Sequence, residues 1–191
     1  MQRLGLFGGA FNPVHLGHLL VAQAAMEELE LDRLFFIAAW QSPFKQEIPT
    51  APAEIRLQWL RLALAGQTHY IVDDQEIRRA GVSYTIDTAR DYVEKFPHAK
   101  LFWLIGADNV PMLNKWARAE ELAKLVEFAA IPRLGKMSVD FPQPFRGRML
   151  KGFPLEISSS EIRARVKAGL TVEALVPPFV AHAIRASGAY L

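Results

Sequence analysis

The runs Leu34–Ala39 and Leu101–Ile105 carry no charged, amide or hydroxyl side chain, and they constrain this chain more than any other feature. A strand with one wet face alternates apolar and polar residues, whereas a strand apolar at every position is covered on both faces. Such strands pair in parallel, with helices above and below the sheet. The intervening sequence fits. Arg3–Phe7, Tyr70–Val72 and Val126–Ile131 read as further strands. Helical spacing marks about His15–Leu29, Glu54–Ala65, Ser83–Phe96 (with Ser83 or Thr85 as its cap) and Glu120–Leu125. A Gly8-Gly9 turn is expected after the first strand, and the Pro-, Gly- and Arg-rich span Pro132–Pro154 reads as a long loop. At roughly 150 residues per domain, 191 residues make one α/β domain over 1–191, with a small helical region from about 158 onward.

Composition removes several classes. Hydrophobic residues make up 51% of the chain and charged ones 22%, which excludes disordered and collagen-like chains. The absence of cysteine excludes disulfides, thiolate zinc sites and a Cys nucleophile, and leaves the cytoplasm as the expected compartment. Leu4–Met26 lacks Asp, Glu, Lys and Arg, but its glycines, Asn12, Pro13, His15 and His18 argue against a membrane span. The apolar run after Arg3 reaches the glycine pair too soon for a signal peptide. Residues 1–130 carry 13 Lys and Arg against 16 Asp and Glu, and residues 131–191 carry 9 against 4. A basic final third fits an anionic partner as well as it fits a solvated face. It holds no recognition helix and no aromatic RNA-reading motif, so nucleic acid is not the expected partner.

Ligands on parallel sheets bind beyond the carboxyl ends of the strands, which places Gly8–His18, Gly106–Asp108 and the Arg133 loop on one rim. Two glycines after a strand let backbone approach a ligand, and a helix start offers free N–H groups to an anion. His15 and His18, three apart, share one side of a helix. Gly17 between them keeps that side open, at about 1 kcal/mol against Ala. Zinc binding by this pair lacks a third ligand nearby. The Walker sequence is absent, and the glycine spacing is wrong for a dinucleotide fingerprint. Ser158-x-x-Glu161 is a capping box, and Arg163 one turn further in makes that helix start a phosphate cradle.

These residues carry a resemblance. His15-Leu16-Gly17-His18 resembles the His-x-Gly-His motif of the nucleotidyltransferase superfamily, and Ile157-Ser158-Ser159-Ser160-Glu161-Ile162-Arg163 resembles its Ile-Ser-Ser-Thr-x-x-Arg motif. Arg79-x-Gly81-x-Ser83-Tyr84-Thr85-x-Asp87-Thr88, Ile105-Gly106-Ala107-Asp108 with Trp116, Ser42-Pro43-Phe44-Lys45 and the Leu175–Tyr190 ending are similar to segments of nicotinate-nucleotide adenylyltransferases. The departures are Asn12, Phe44 and Ser160, where that family usually shows Asp, His and Thr. Ser160 keeps the hydroxyl, Phe44 removes a contact to phosphate or acceptor, and Asn12 resembles the asparagine of nicotinamide-preferring relatives. Lys136-Met137-Ser138 echoes a class I aminoacyl-tRNA synthetase motif but lacks its second lysine, and reads as loop.

The resemblance implies a Rossmann-like fold and ATP-dependent adenylyl transfer to nicotinate mononucleotide, giving deamido-NAD and pyrophosphate. It implies that His15, His18, Lys45 and Arg163 act on the phosphates, with Mg²⁺ bridging phosphate oxygens. Gly8, Gly9, Ala10, Phe11 and Ser159 would lie by the phosphates, Gly106 and Asp108 at the ribose, and Ile131 and Arg133 near the adenine. Thr85 and Trp116 would hold the acceptor's pyridine ring. A transferase for another phosphate acceptor, or a non-catalytic nucleotide-binding protein, would keep the same pocket.

Overall fold

The computed structural model describes residues 1–43, 50–132, 139–153 and 155–191. Six strands form one sheet: β1 (Arg3–Gly9), β2 (Arg33–Ala38), β3 (Tyr70–Asp73), β4 (Lys100–Gly106), β5 (Glu127–Ile131) and β6 (Gly147–Met149). Their order is β3-β2-β1-β4-β5-β6 and every pairing is parallel. The helices are α1 (Leu16–Glu28), α2 (Ala53–Ala63), α3 (Gln75–Arg79), α4 (Thr85–Lys95), α5 (Ala119–Leu125), α6 (Ser159–Lys167) and α7 (Pro178–Ser187), with a 3-10 helix at Ala107–Lys115. No helix among the described residues is long and apolar enough to cross a membrane.

The two apolar runs behave as their composition requires. Leu34, Phe36 and Ala38 of β2 enter one core with α1, α2 and α7, while Phe35 and Ile37 enter a second with α4 and α5. On β4, Phe102 and Leu104 join the first core, and Leu101, Trp103 and Ile105 the second. Each such side chain contributes about 1.5–3 kcal/mol when fully buried. The strand order reverses between β1 and β4, so their carboxyl ends flank the crevice where such sheets bind ligands.

Four local expectations are corrected. Gly8 and Gly9 do not turn; they continue β1 opposite Ile37 and Ala38. The chain turns at Phe11, whose φ is +45°, just ahead of Pro13. α4 begins at Thr85 with Tyr84 as its N-cap and no side-chain cap. Ser83 is instead engaged with the segment after β2, its hydroxyl accepting from the Trp40 amide at 3.0 Å and its own amide donating to the Gln41 carbonyl at 2.8 Å. Within the expected Pro132–Pro154 loop lies β6, a three-residue edge strand paired with Phe128–Ala130. The helix α3 and the 3-10 helix also arise where no element was expected.

Candidate active site

Two adjoining cavities open at the crevice and share Phe7, Gly9, Ala10, Ser42 and Gly106 as walls. The larger, about 780 Å³, is lined by the His15–His18 face, Phe11, Asn12, Ile131, Ser159 and Arg163. The smaller, about 450 Å³, is lined by Gly8, Ser83, Thr85 and Trp116. Asp108 is exposed in the 3-10 helix, outside the described lining of both cavities. Lys45, Arg133, Phe44 and Lys136-Met137-Ser138 lie outside the described residues.

His15 is the N-cap residue of α1 and His18 is its third residue. Their rings lie in contact, tilted 35° to each other with centroids 3.7 Å apart. The His15 amide donates to His18 Nδ1 at 3.2 Å, so in this bond that nitrogen carries no proton and Nε2–H becomes the donor. Phe11 packs its ring edge-on to His18 at 5.0 Å. Its left-handed backbone thus places an aromatic buttress behind the imidazole. His15 is 7% exposed, and burial lowers its pKa from 6.5 to about 4. Its Nδ1 is buried without a hydrogen-bond partner among the described residues. A Cβ on Gly17 would stand 3.0 Å from both Cε1 and Nδ1 of His15, so glycine is what allows this ring position. Gly8 is required for a different contact, since a Cβ there would meet the Trp103 ring at 3.0 Å.

The two motifs, far apart in the chain, interlock. Ser158 caps α6 by accepting from the Glu161 amide at 3.2 Å. Ser159 donates to the Pro13 carbonyl at 2.9 Å, which commits that hydroxyl's proton to the loop rather than to a ligand. Arg163 donates to the Asn12 carbonyl at 2.9 Å and to Ser160 Oγ at 3.1 Å, leaving other guanidinium N–H groups for the cavity it lines. Asn12 is buried, and its Oδ1 accepts from the Ala51 amide at 3.1 Å and from the Tyr190 hydroxyl at 2.7 Å. It lines the larger cavity and not the smaller, so it is a strut of the loop, remote from the Thr85–Trp116 wall.

Sequence reading missed two buried charged groups. Arg56 is 1% exposed and donates to the carbonyls of Ala51, Ala10, Ala39 and Trp40. It clamps the segments following β1 and β2 together beneath the larger cavity. Burial lowers its pKa, opposed by the charge of Glu54, and the guanidinium stays protonated. Its position in an amphipathic pattern gave no sign of this. Glu76, 4% exposed in α3, lines the smaller cavity and accepts from Thr88 Oγ1 at 2.6 Å. Burial pushes its carboxyl above the usual range, against the pull of Thr88, Ser83 and the Arg79 charge.

The Trp116 and Thr85 walls of the smaller cavity are tied together. Arg118 pairs with Asp87, and Arg90 forms a two-pronged pair with Glu121 at 2.6 and 2.8 Å. Trp116 also packs edge-on against Phe128 at 6.1 Å, so the indole serves core and cavity at once. Among the described residues, no group of three or more His, Asp or Glu could hold a metal ion. Glu54 is the only carboxylate in the described lining of the larger cavity. That donor set suits a divalent cation carried in on phosphate oxygens, not one held by the protein alone.

Comparison with known proteins agrees with this architecture. The cytidylyltransferase-like family model matches residues 6–165. A protein of Opitutus terrae named "probable nicotinate-nucleotide adenylyltransferase" is 42% identical over 179 residues, covering 92% of this chain and 91% of that protein. One of Thermus thermophilus with the same name is 40% identical over 189 residues, covering 99% and 100%. The solved structure of Plasmodium falciparum nicotinic acid mononucleotide adenylyltransferase complexed with NaAD superposes with a TM-score of 0.81 over 100% of this chain and 98% of that one. At 16% identity that likeness speaks to the fold alone. With its paired motifs meeting across a parallel sheet and full-length relatives at this identity, the chain belongs to the nicotinate-nucleotide adenylyltransferase family of cytidylyltransferase-like proteins.

Proposed function

We propose that this chain transfers the adenylyl group of ATP to nicotinate mononucleotide, releasing pyrophosphate and forming deamido-NAD. The observation that carries the reading is the pair of joined cavities, the larger with two histidine rings in contact and a basic helix start, the smaller with an aromatic wall and an uncapped helix start. ATP occupies the larger, with the adenine toward Ile131 and Arg133, Gly106 at the ribose, and the phosphates by Gly9–Phe11, His15, His18, Lys45, Ser159 and Arg163, while Gly8 lies on the acceptor side and Asp108 outside both described linings. The pyridine ring of the acceptor lies against Trp116 with its substituent toward Thr85.

The acceptor's 5′-phosphate oxygen attacks the α-phosphorus in line. A P–O bond forms as the α–β bridging bond breaks, and pyrophosphate leaves with the electron pair. No covalent enzyme intermediate is needed, so catalysis is positioning and charge stabilisation. His18 donates from Nε2–H, the tautomer that the His15 amide fixes. His15, neutral at pH 7, is a hydrogen-bonding group rather than a counter-charge. Arg163 and Lys45 neutralise the leaving pyrophosphate, and Arg163 does so from a guanidinium already held by Asn12 and Ser160. Mg²⁺ bound to the phosphates supplies charge neutralisation. The setting is cytoplasmic. Steady-state assays of pyrophosphate release with ATP and each pyridine mononucleotide, with the dinucleotide product separated by chromatography, test the proposal. ATP binding without product from either mononucleotide refutes it in favour of a nucleotide-binding protein or another acceptor.

A further inference from the structure

α4 meets the smaller cavity with a start that no side chain caps. Its N-cap is Tyr84; within the turn the Asp87 amide donates to the Tyr84 carbonyl at 3.1 Å, and no described side chain takes the amides of Thr85 and Ile86 ahead of it. Their direction is set by tertiary ties, and the innermost of these is Glu76. Its carboxylate accepts from Thr88, one turn into α4, at 2.6 Å. The Ser83 hydroxyl, just ahead of α4, also faces that carboxylate and favours its charged form. Thr88 Oγ1 in turn accepts from Arg79 at 3.0 Å, and Arg79 pairs with Asp91 at 3.2 Å. Asp73, on β3, is the other acid near Glu76 and is occupied by Tyr92 and Gln75. No described cation lies within ion-pair distance of Glu76, so its hydrogen bonds to α4 satisfy it.

We propose that Glu76 is a positioning residue for the acceptor: a buried carboxylate on the wall of the smaller cavity that fixes the start of α4 through Thr88 and Ser83. This rests on the proposed function, in which the acceptor's ring substituent meets that helix start. The arrangement replaces the missing cap. A local cap bonds first-turn N–H groups and so competes with a ligand for them, whereas Glu76 holds the helix through Thr88 and leaves the Thr85 end, which lines the cavity, without a side-chain cap. Loss of the Thr88–Glu76 hydrogen bond therefore weakens acceptor binding and leaves the chemistry on the ATP side alone.

The test is steady-state kinetics on the full-length enzyme with Glu76→Gln, Thr88→Val and the double variant. The expected result is an acceptor KM raised about tenfold in each single variant, in keeping with loss of a hydrogen bond to a charged group. The kcat and the KM for ATP stay within about twofold, and the double variant is no worse than the poorer single, because Thr88→Val removes the same bond whose acceptor Glu76→Gln strips of its charge. Thr88→Ser, which keeps the hydroxyl, restores the acceptor KM, and it serves where Glu76→Gln fails to fold. An unmoved acceptor KM, equal changes in both KM values and kcat, or additive effects overturn the assignment. Wild-type enzyme that turns over neither mononucleotide overturns the functional reading and this inference with it; wild-type turnover with an unmoved acceptor KM in the variants overturns this inference alone.

Discussion

Gly17→Ala isolates what the histidine pair needs from its backbone. Alanine in place of a helical glycine is favourable by about 1 kcal/mol for the helix itself. Against that stands the Cβ, built 3.0 Å from Cε1 and Nδ1 of His15. Relaxed carbon contacts lie near 3.5–4.0 Å, so the ring must retreat by roughly 0.5 Å. It cannot do so alone, because its face lies 3.7 Å from the His18 ring and its amide fixes His18 Nδ1. The clash and the helix gain oppose each other, so stability changes by no more than about 1 kcal/mol. That is roughly 2–4 °C in Tm for a chain of this size. Catalysis is less tolerant. A misplacement of about 1 Å costs on the order of 10²-fold, so half of it costs about tenfold in kcat. Pyrophosphate release at saturating substrates measures kcat, and a thermal melt followed by circular dichroism measures stability. In a His15→Ala background the same change should add little, since the ring that the Cβ displaces is already gone. A folded Gly17→Ala enzyme with kcat within twofold of wild type would refute the reasoning.

Other outcomes are expected on the same footing. His18→Ala lowers kcat about 10²–10³-fold with the fold intact, as loss of one transition-state donor does, and near-normal turnover removes His18 from the mechanism. Arg163→Lys loses at least about tenfold in kcat/KM, because a point charge cannot hold Asn12 and Ser160 and still bridge phosphate oxygens; equal activity would mean that only net charge matters there. Stability is pH-dependent through His15: with its pKa lowered from 6.5 to about 4, the unfolded chain takes up a proton that the folded one refuses. The folded state is therefore unaffected above pH 6.5 and loses about 3 kcal/mol as pH falls towards 4, a loss that denaturant melts should find reduced in His15→Gln. Nicotinate mononucleotide is preferred over nicotinamide mononucleotide by at least about 10²-fold in kcat/KM, because the α4 start offers donors to a carboxylate; equal rates in parallel assays would show that Thr85 does not select the acceptor's charge.

What could be read without a structure was local. The apolar runs of β2 and β4 declare burial on both faces because side-chain alternation is a property of a strand itself. The spacing of His15, Gly17 and His18 and the Ser158 cap are legible because a helix turn brings neighbours in sequence into contact. Tertiary structure decided everything that depends on partners distant in the chain. Gly147–Met149 has no apolar run, and becomes a strand only because the edge of β5 pairs with it. Ser83 is a good cap by type, yet Trp40 takes its hydroxyl, and α4 is left for Glu76 to hold. Arg56 sits among the polar positions of an amphipathic helix, and only the meeting of four carbonyls from the two loops that follow β1 and β2 makes it a buried clamp. Asn12 reads as a substrate-choosing substitution until Ala51 and Tyr190 are seen to occupy its carbonyl oxygen. A side chain's type fixes which bonds it is able to make, and the fold alone fixes which partner arrives to make them.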